Sequence, residues 1–149
     1  MPKKQNVTIG LVQMSMIADP KKNLAKAQKM VREAAKKGAQ IICLPELYRS
    51  LYFPQEEKKD VSALAEPADG ESAKKFSALA KELKAVIIVP IFEKSGKKTF
   101  NSTLVFDVDG KLAGIYRKMH IPHDPLFWEQ NYFPKGDGGF KVFMTKYGR

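Results

Sequence analysis

The sequence predicts an α/β fold, and two observations support this prediction. The first 45 residues alternate between short apolar runs and one amphipathic stretch, in the order strand, helix, strand. A second amphipathic stretch precedes another apolar run and then a hairpin pattern. Parallel strands need a long crossover connection, which is usually a helix, so the first pattern favours a parallel pair. The chain has 149 residues, of which 44% are hydrophobic, and this suits one globular domain.

The first helix is predicted to lie between two strands. Residues 7–15 and 40–44 are apolar runs, and the second is continuous, as in a strand that is buried on both faces. Between them, Asp19 suits a helix N-cap, Pro20 suits the first turn, and Gly38 suits the position just past the helix end. Apolar residues recur at helical spacing between these positions, at Leu24, Ala27, Val31 and Ala34.

The middle of the chain predicts a second helix and a further strand. Residues 48–68 are irregular and are expected to run over the surface. Asp69 and Gly70 open a stretch in which apolar residues follow the spacing i, i+3, i+4 and i+7, namely Phe76, Leu79, Ala80 and Leu83. Residues 86–92 are predicted to form a buried strand, in which Pro90 suggests either a bulge or an edge position.

The last third of the chain predicts a hairpin, a long loop and a final strand. Residues 99–107 and 111–118 flank Val108-Asp109-Gly110, which is a hairpin turn pattern. Residues 119–139 are rich in proline, glycine and aromatic residues, and loops of this length are usually functional or mobile. Residues 140–145 are expected to resume as a strand. The sequence shows no repeat or linker, so residues 1–149 are interpreted as part of a single domain.

Composition and charge limit the function classes. The formal net charge is +10, but the lysines fall mainly on polar helix faces without interleaved aromatic residues, so a solvated coat is favoured over a nucleic-acid surface. Cys43 is the only cysteine, which excludes an internal disulfide. No apolar run is long enough for a membrane span, and the first six residues show no signal-peptide pattern. We therefore expect a reduced, cytoplasmic setting.

Three charged residues are candidates for catalysis. Glu46 follows the predicted strand 40–44, and sites in open α/β sheets lie beyond the carboxyl ends of strands. A carboxylate held there can act as a base, and the alternative is a cap for the next turn. Lys118 ends a predicted hairpin strand and could stabilise an oxyanion, although from position alone a solvated lysine is favoured. Glu129, in the long loop, is either a second acid or a solvated residue.

Other polar groups have weaker chemical interpretations. Cys43 lies three residues before Glu46, and this odd spacing on an extended chain sends the two side chains to opposite faces. A buried, inert thiol is therefore favoured over a nucleophile. His120 and His123 have no third ligand in view, so hydrogen bonding or substrate contact is favoured over a metal. Asn101 lies within a predicted strand and is interpreted as a structural hydrogen-bonding residue.

Several segments, taken in order, resemble the nitrilase (carbon–nitrogen hydrolase) superfamily over nearly the whole chain. They are Leu44-Pro45-Glu46-Leu47, Phe100-Asn101-Ser102, the turn at 107–110, and Tyr116-Arg117-Lys118-Met119-His120. Residues 120–143 are similar in particular to the branch that contains N-carbamoylputrescine amidases, with β-ureidopropionase-like enzymes nearby. One such segment would be weak support, but the ordered set is specific.

The resemblance implies an αββα sandwich and a Glu–Lys–Cys mechanism. Glu46 matches the general base, Lys118 matches the lysine that stabilises the tetrahedral intermediate, and Glu129 matches the second glutamate. Trp128 and His123 are the expected substrate contacts. The implied reaction converts a small N-carbamoyl amine or amide, without metal or cofactor, and for an N-carbamoyl amine yields amine, CO2 and ammonia. This would be a step of polyamine biosynthesis, and the resemblance also implies a homo-oligomer.

The family nucleophile has no counterpart in this sequence. In the family it follows the segment that matches residues 140–149, in an Ile-Cys-x-Asp context, and this chain ends at Arg149. We therefore expect an incomplete sandwich, the N-terminal portion of one domain, which does not catalyse hydrolysis alone. A truncated gene product and a non-catalytic binding or regulatory module are the alternatives. Because half a sandwich would leave apolar sheet surface uncovered, a missing C-terminal half is an expected partner.

Overall fold

A computed structural model describes residues 6–148 as one five-stranded mixed sheet with two helices. The strands are β1 (Ile9–Leu11), β2 (Ile41–Cys43), β3 (Val86–Ser95), β4 (Lys98–Phe106) and β5 (Leu112–Arg117), and the helices are α1 (Pro20–Lys36) and α2 (Glu71–Leu83). The strands lie side by side in chain order. Strand β2 pairs in parallel with β1 and β3, whereas β4 is antiparallel to β3 and β5. The predicted α/β class, crossover helix and hairpin are confirmed.

Two of the sequence expectations concern the chain ends. The expected absence of a signal peptide rests largely on Met1 to Gln5, and the expected end of the domain rests on Arg149, and these residues lie outside the described part. Within residues 6–148, no helix is both long enough and apolar enough to cross a membrane.

Helix α1 begins and ends where the sequence predicts. The Oδ1 atom of Asp19 accepts hydrogen bonds from the backbone N–H groups of Lys21 and Lys22 at 2.9 and 3.1 Å. These bonds satisfy two of the donors that a helix N-terminus leaves free. Beyond the last turn, Gly38 has a φ of +90°, a conformation that favours glycine.

Pro90 occupies a local edge of the sheet and not a bulge. Strand β2 pairs with β3 only as far as Ile88, so no strand lies beside Pro90 on that side. On the other side, pairing with β4 continues through Pro90 without a break. The missing N–H of proline is therefore tolerated. The irregularity in the sheet lies elsewhere, between Val105 and Phe106, where β4 meets β5.

The core lies between the two helices and one face of the sheet. Helix residues such as Leu24, Val31, Phe76 and Leu79 pack there against Ile42, Ile87, Val89 and Leu104. The opposite face has no covering helix and is called here the open face, with side chains Ile9, Leu11, Ile41, Cys43, Ile88 and Val105. On it, Ile9 is 62% exposed and Leu11 is 79% exposed. The structure therefore contains one sheet layer and one helix layer.

The prediction of a strand at residues 140–145 is wrong. These residues are not part of the sheet, and the apolar side chains Phe140, Val142 and Met144 are mostly exposed. Thr145 bridges only to Gly148, within the same segment. Besides apolar residues, a strand needs a hydrogen-bonding neighbour, and none of the described strands lies beside this segment. Instead, the segment crosses the open face, where the Phe143 ring packs closely against Gly114.

A second apolar cluster joins the two irregular stretches of the chain. It consists of Leu47, Phe53, Val61, Phe92, Tyr132 and Phe133. The ring of Phe53 lies 5.0 Å from the rings of both Phe92 and Tyr132. The backbone N–H of Trp128 also donates to the Pro54 carbonyl at 2.8 Å. This packing holds residues 47–65 and the loop 119–139 together. Both lie beside the carboxyl end of β2 and the amino end of β4.

Candidate active site

Glu46 lies just beyond the end of β2 and meets two nitrogen donors. Its Oε1 atom accepts a hydrogen bond from the Asn101 Nδ2 atom at 2.6 Å. The same oxygen lies 3.1 Å from the Nζ atom of Lys118. The Glu46 side chain is 48% exposed, so it is held by these donors yet remains open to solvent and to a reactant. This is the position beyond a strand end that the sequence predicted for a site residue.

Lys118 follows β5 and joins Glu46 to Glu129. Its backbone N–H donates to the Asn101 carbonyl at 2.8 Å, which extends the β4–β5 ladder by one bond. Its Nζ atom donates to both carboxylate oxygens of Glu129, at 2.8 and 3.0 Å. Glu129 is only 2% exposed, at the start of a short 3₁₀ helix, Glu129–Asn131. The structure therefore brings the three charged candidates into one cluster, around a single ammonium group.

The electrostatic surroundings keep Lys118 protonated. Burial disfavours its charged form, but the hydrogen bonds to Glu129 and Glu46 outweigh this effect, and the net result is a raised pKa for Lys118. The ammonium is thus a fixed positive charge at neutral pH. A fixed charge of this kind can stabilise an oxyanion but does not act as a base.

Two uncharged residues complete the cluster. Asn101, interpreted from the sequence as structural, holds Glu46. The Tyr52 hydroxyl donates to the Oε1 atom of Glu129 at 2.7 Å, and the sequence analysis missed it. No periodic pattern marks Tyr52, because it lies in the irregular stretch after β2. Its partner is 77 residues away in the chain, so only the tertiary fold identifies it.

Cys43 takes no part in this hydrogen-bonded cluster. Its thiol contacts the carbonyl of its neighbour Leu44 at 3.4 Å and lies among the apolar side chains of the open face. Burial raises the pKa of Cys43, which makes its thiolate scarce at neutral pH. Strand alternation, which the sequence predicted to place Cys43 and Glu46 on opposite faces, does not explain why Cys43 lies outside the cluster. Strand β2 ends at Cys43, three residues before Glu46, so strand alternation does not continue to Glu46.

Trp128 and His123 lie beside the cluster but do not bond to its charged groups. Their rings pack edge to face, with centroids 5.2 Å apart. Trp128 directly precedes Glu129, and its partial exposure leaves ring surface for a ligand. His120 packs instead near the Phe140 ring, at 6.1 Å. Among residues 6–148, no group of three or more histidine, cysteine or acidic side chains is placed to hold a metal ion.

The fold and the cluster together define an α/β domain of the nitrilase type, with paired carboxylates around one lysine. The sequence comparison agrees: the carbon–nitrogen hydrolase family profile matches residues 8–149. The chain belongs to the carbon–nitrogen hydrolase family.

The curated relatives include several amide-cleaving enzymes. The chain is 41% identical over 148 residues to the N-carbamoylputrescine amidase of Solanum lycopersicum, which covers 99% of this chain and 49% of that protein. It is 37% identical to the citrullinase of Francisella tularensis, over 97% of this chain and 51% of that protein. The chain thus spans about half the length of the curated relatives it matches.

A solved structure shows the same relationship. The carbon–nitrogen hydrolase of Helicobacter pylori G27 superposes with a TM-score of 0.90 at 38% sequence identity. The match covers 96% of this chain and 50% of that one. The predicted nitrilase-type fold is therefore confirmed.

Proposed function

We propose that this chain supplies the base and the electrostatic part of a hydrolase site that cleaves N-carbamoyl amines. One observation carries the proposal: the Lys118 ammonium lies within 3.1 Å of carboxylate oxygens from both Glu46 and Glu129. A half-exposed carboxylate beside a protonated lysine is the arrangement needed to remove a proton and to stabilise a developing oxyanion. Glu46 is the general base, Lys118 stabilises the oxyanion, and Glu129 orients Lys118.

The reaction proceeds through a covalent intermediate. Glu46 takes the proton of a cysteine thiol, and the thiolate attacks the carbonyl carbon of the carbamoyl group. Lys118 stabilises the oxyanion of the tetrahedral intermediate. Glu46 then gives its proton to the leaving nitrogen, and the C–N bond breaks to release ammonia. Water, deprotonated by Glu46, cleaves the S-linked thiocarbamate, and the proton returns from Glu46 to the thiol. The released carbamic acid breaks down to the amine and CO2.

The thiol in this scheme comes from sequence outside the 149 residues. Cys43 is the only cysteine of the chain, it has a raised pKa, and it makes no hydrogen bond to Glu46 or Lys118. We expect the nucleophile in an Ile-Cys-x-Asp segment of a C-terminal half. The half-length match to the relatives supports this view. The chain on its own would then bind substrate at most, without hydrolysing it.

The substrate class follows from the relatives and from the surroundings of the cluster. N-carbamoylputrescine amidase and citrullinase are named for carbamoyl-bearing substrates. Two residues that closely follow Glu129 in the chain bond to an acidic segment: the Tyr132 hydroxyl donates to the Glu56 carbonyl, and the Asn131 amide donates to the Glu57 carbonyl. Asp60 lies in the same segment. These carboxylates favour a substrate with a distal ammonium group only weakly, because they are solvated and because Glu56 is already paired with Lys59. Trp128 and His123 are the proposed substrate contacts, as the family resemblance implies, and the partly exposed Trp128 ring offers apolar surface for its methylene chain. Such an enzyme would act in polyamine biosynthesis.

The partner of this chain is a second sheet. The open face leaves Ile9 and Leu11 exposed, and a stable α/β domain buries both faces of such a sheet. The C-terminal half of the domain is the proposed cover, which would bring the nucleophile to the carboxyl end of β2. Assembly into a homo-oligomer is a further proposal, drawn from the family resemblance alone.

The test is reconstitution of the site from two polypeptides. This chain is co-produced with the C-terminal half of the Helicobacter pylori hydrolase, and ammonia release from N-carbamoylputrescine is measured. We expect neither half to be active alone and the pair to be active. Glu46→Gln should abolish turnover, because it removes the base, whereas Glu33→Gln on the exposed side of α1 should not. Binding without hydrolysis by a complex that has assembled would support a non-catalytic module instead.

A further inference from the structure

The inference concerns how the buried carboxylate of Glu129 is held. Its Oε1 atom has two donors, the Tyr52 hydroxyl at 2.7 Å and the Lys118 ammonium at 3.0 Å. Its Oε2 atom has the Lys118 ammonium at 2.8 Å. Among residues 6–148, Tyr52 is thus the one uncharged donor to this carboxylate, and its bond to Oε1 is shorter than that of the lysine.

The tyrosine is itself fixed by its surroundings. It lies directly before the 3₁₀ turn Phe53–Gln55, whose phenylalanine is buried in the second apolar cluster. The Tyr52 ring also packs against Phe127, with centroids 6.0 Å apart. The hydrogen bond from the Trp128 N–H to the Pro54 carbonyl joins the loop that carries Glu129 to the segment that carries Tyr52. This hydrogen bond joins the backbone one residue before Glu129 to the backbone two residues after Tyr52. The position of the hydroxyl relative to Glu129 is therefore fixed.

The hydroxyl remains a donor over the whole range in which the protein would work. Burial and the neighbouring Glu129 carboxylate both raise the pKa of Tyr52, because each disfavours a phenolate. A neutral phenol beside a buried carboxylate can only donate to it. A hydrogen bond to an ionised acceptor is stronger than one to a neutral acceptor. The Tyr52 hydrogen bond therefore restricts the rotation of the Glu129 carboxylate.

From this geometry we propose that Tyr52 is a positioning residue, whose hydroxyl orients Glu129 so that the Lys118 ammonium is held beside Glu46. The inference rests on the proposed function and deepens it. Without the hydroxyl, Glu129 would rotate toward other conformations, and the ammonium would lose the bidentate contact that keeps it between the two carboxylates. The separation of Lys118 from Glu46 would then vary, which matters because oxyanion stabilisation requires fixed donors.

The first test needs no catalytic activity, so it is independent of whether the chain forms part of a hydrolase. The Lys118 side chain is titrated by NMR, through its Cε and Hε signals, in the 149-residue protein that carries Ile9→Lys and Leu11→Lys, because these changes remove exposed apolar side chains from the open face and limit association. In Tyr52→Phe we expect the Lys118 pKa to fall by roughly one pH unit, since a held opposite charge moves a pKa by about one to three units. Glu129→Gln should move it in the same direction and further. An unchanged or increased pKa in Tyr52→Phe would overturn the proposal.

A matched control is available in the same cluster of loops. The Tyr132 hydroxyl also makes a short bond, to the Glu56 carbonyl at 2.6 Å, but it does not touch the charged cluster. Tyr132→Phe should therefore leave the Lys118 titration unchanged. If both tyrosine variants alter it equally, the effect is general loosening of the loops and Tyr52 has no positioning role.

The second test uses the reconstituted enzyme. Tyr52→Phe should lower kcat about 10- to 100-fold with KM changed less than about threefold, because misplacing a charge near the reacting atoms affects the transition state more than ground-state binding. A 10- to 100-fold rise in KM with unchanged kcat would assign Tyr52 to substrate binding and refute the positioning role. Should an assembled complex show no hydrolysis in any variant, the proposed function fails, while the NMR titration still decides the role of Tyr52.

Discussion

At the scale of single residues, a second buried carboxylate lies near the active-site cluster but has a structural role. Glu93 on β3 is 3% exposed and accepts hydrogen bonds from the Ser102 hydroxyl and the Arg117 guanidinium. Arg117 also reaches Asp137 at 2.9 Å and stacks over the Phe100 ring at 4.0 Å. Burial opposes ionisation of Glu93, but the hydrogen bonds outweigh it and lower its pKa. Arg117 therefore neutralises Glu93, while the adjacent Lys118 points into the active site.

Removing the guanidinium should leave a buried charge without a partner. We predict that Arg117→Met lowers the free energy of unfolding by roughly 3 kcal/mol at pH 7, because a buried carboxylate that loses its cation is costly. Urea denaturation measures this loss. Lys111→Met, which removes an exposed ion pair to Asp109, should have no measurable effect.

The same variant has a definite pH dependence. The lowered pKa means that ionised Glu93 stabilises the fold above its ordinary pKa near 4.3, and that this stability is lost as the pH falls through the folded-state value. In Arg117→Met the stability deficit should therefore shrink as the pH falls from neutral to below the ordinary pKa of glutamate near 4.3, because protonation of Glu93 removes the unpaired charge. A deficit that stays constant across this range would show that lost packing on Phe100 causes the destabilisation.

The catalytic candidates show what the sequence can and cannot predict at this scale. Glu46 was identified because the position after a buried strand has a geometric meaning that the sequence reveals. From position alone, Lys118 was more simply interpreted as a solvated lysine, and only the family resemblance pointed to it. Its role depends on a carboxylate 72 residues away and another 11 residues away. Contacts over such distances depend on the whole fold, which local patterns do not specify.

At the scale of secondary-structure elements, the two hairpin turns contain glycines with contrasting surroundings. Gly96 joins β3 to β4 with a φ of +60°, and a Cβ atom there would meet nothing within 4 Å. Gly110 joins β4 to β5 with a φ of +82°, and a Cβ atom there would lie 2.6 Å from the Ser77 carbonyl of α2. The Ser77 hydroxyl donates to the Gly110 carbonyl at 2.6 Å. Gly110 is thus both a turn residue and the contact between the hairpin and the helix.

This difference predicts unequal effects of the same substitution. Gly96→Ala should cost about 1 kcal/mol, from the left-handed backbone conformation alone. Gly110→Ala should cost about 3 kcal/mol or more, because the new methyl group also clashes with a backbone carbonyl that cannot move without displacing α2. Thermal and urea unfolding of both variants measure the difference. Equal losses would mean that backbone conformation alone requires glycine at these turns.

The elements that the sequence predicted well have local causes. Helix α1 has its N-cap, its first-turn proline and its terminal glycine in the sequence itself, and the structure contains all three. Helix α2 begins after Gly70, which has no capping side chain, and the Glu66 carboxylate instead accepts the Ser72 N–H at 2.9 Å. The failed strand at 140–145 has the opposite cause. Its apolar residues are typical of a strand, but strand formation depends on a neighbour that local sequence does not specify.

At the scale of the whole molecule, the two sheet faces have opposite environments. The helix-covered face is fully buried, with Ile42, Ile87 and Leu104 at 0% exposure, whereas Leu11 on the open face is 79% exposed. The crossing segment at 140–148 covers this face only in part, because Ile9 and Leu11 of the sheet remain exposed. Contiguous apolar surface of this kind is rare on stable monomers and promotes association. The fold therefore leaves the open face available for a further layer.

The open face predicts how the isolated chain behaves in solution. At micromolar concentrations we expect it to elute from size-exclusion chromatography larger than a monomer and to enhance the fluorescence of a hydrophobic dye. Replacing Ile9 and Leu11 together by lysine should shift it toward a monomer and reduce the dye signal. Their exposure means that unfolding free energy should change by less than about 1 kcal/mol.

A control variant separates the open face from exposed apolar surface in general. Leu126 is 64% exposed, but at a loop tip with a φ of 69°, which asparagine accepts readily. Leu126→Asn should therefore leave association and dye binding unchanged. If the unmodified chain is instead a stable monomer that does not bind the dye, the crossing segment suffices to cover the sheet, and the need for a second layer is refuted.

Addition of the C-terminal half of the Helicobacter pylori hydrolase distinguishes the same two cases. An open face should bind this half and lose dye fluorescence on doing so, whereas a face already covered by the crossing segment should form no complex.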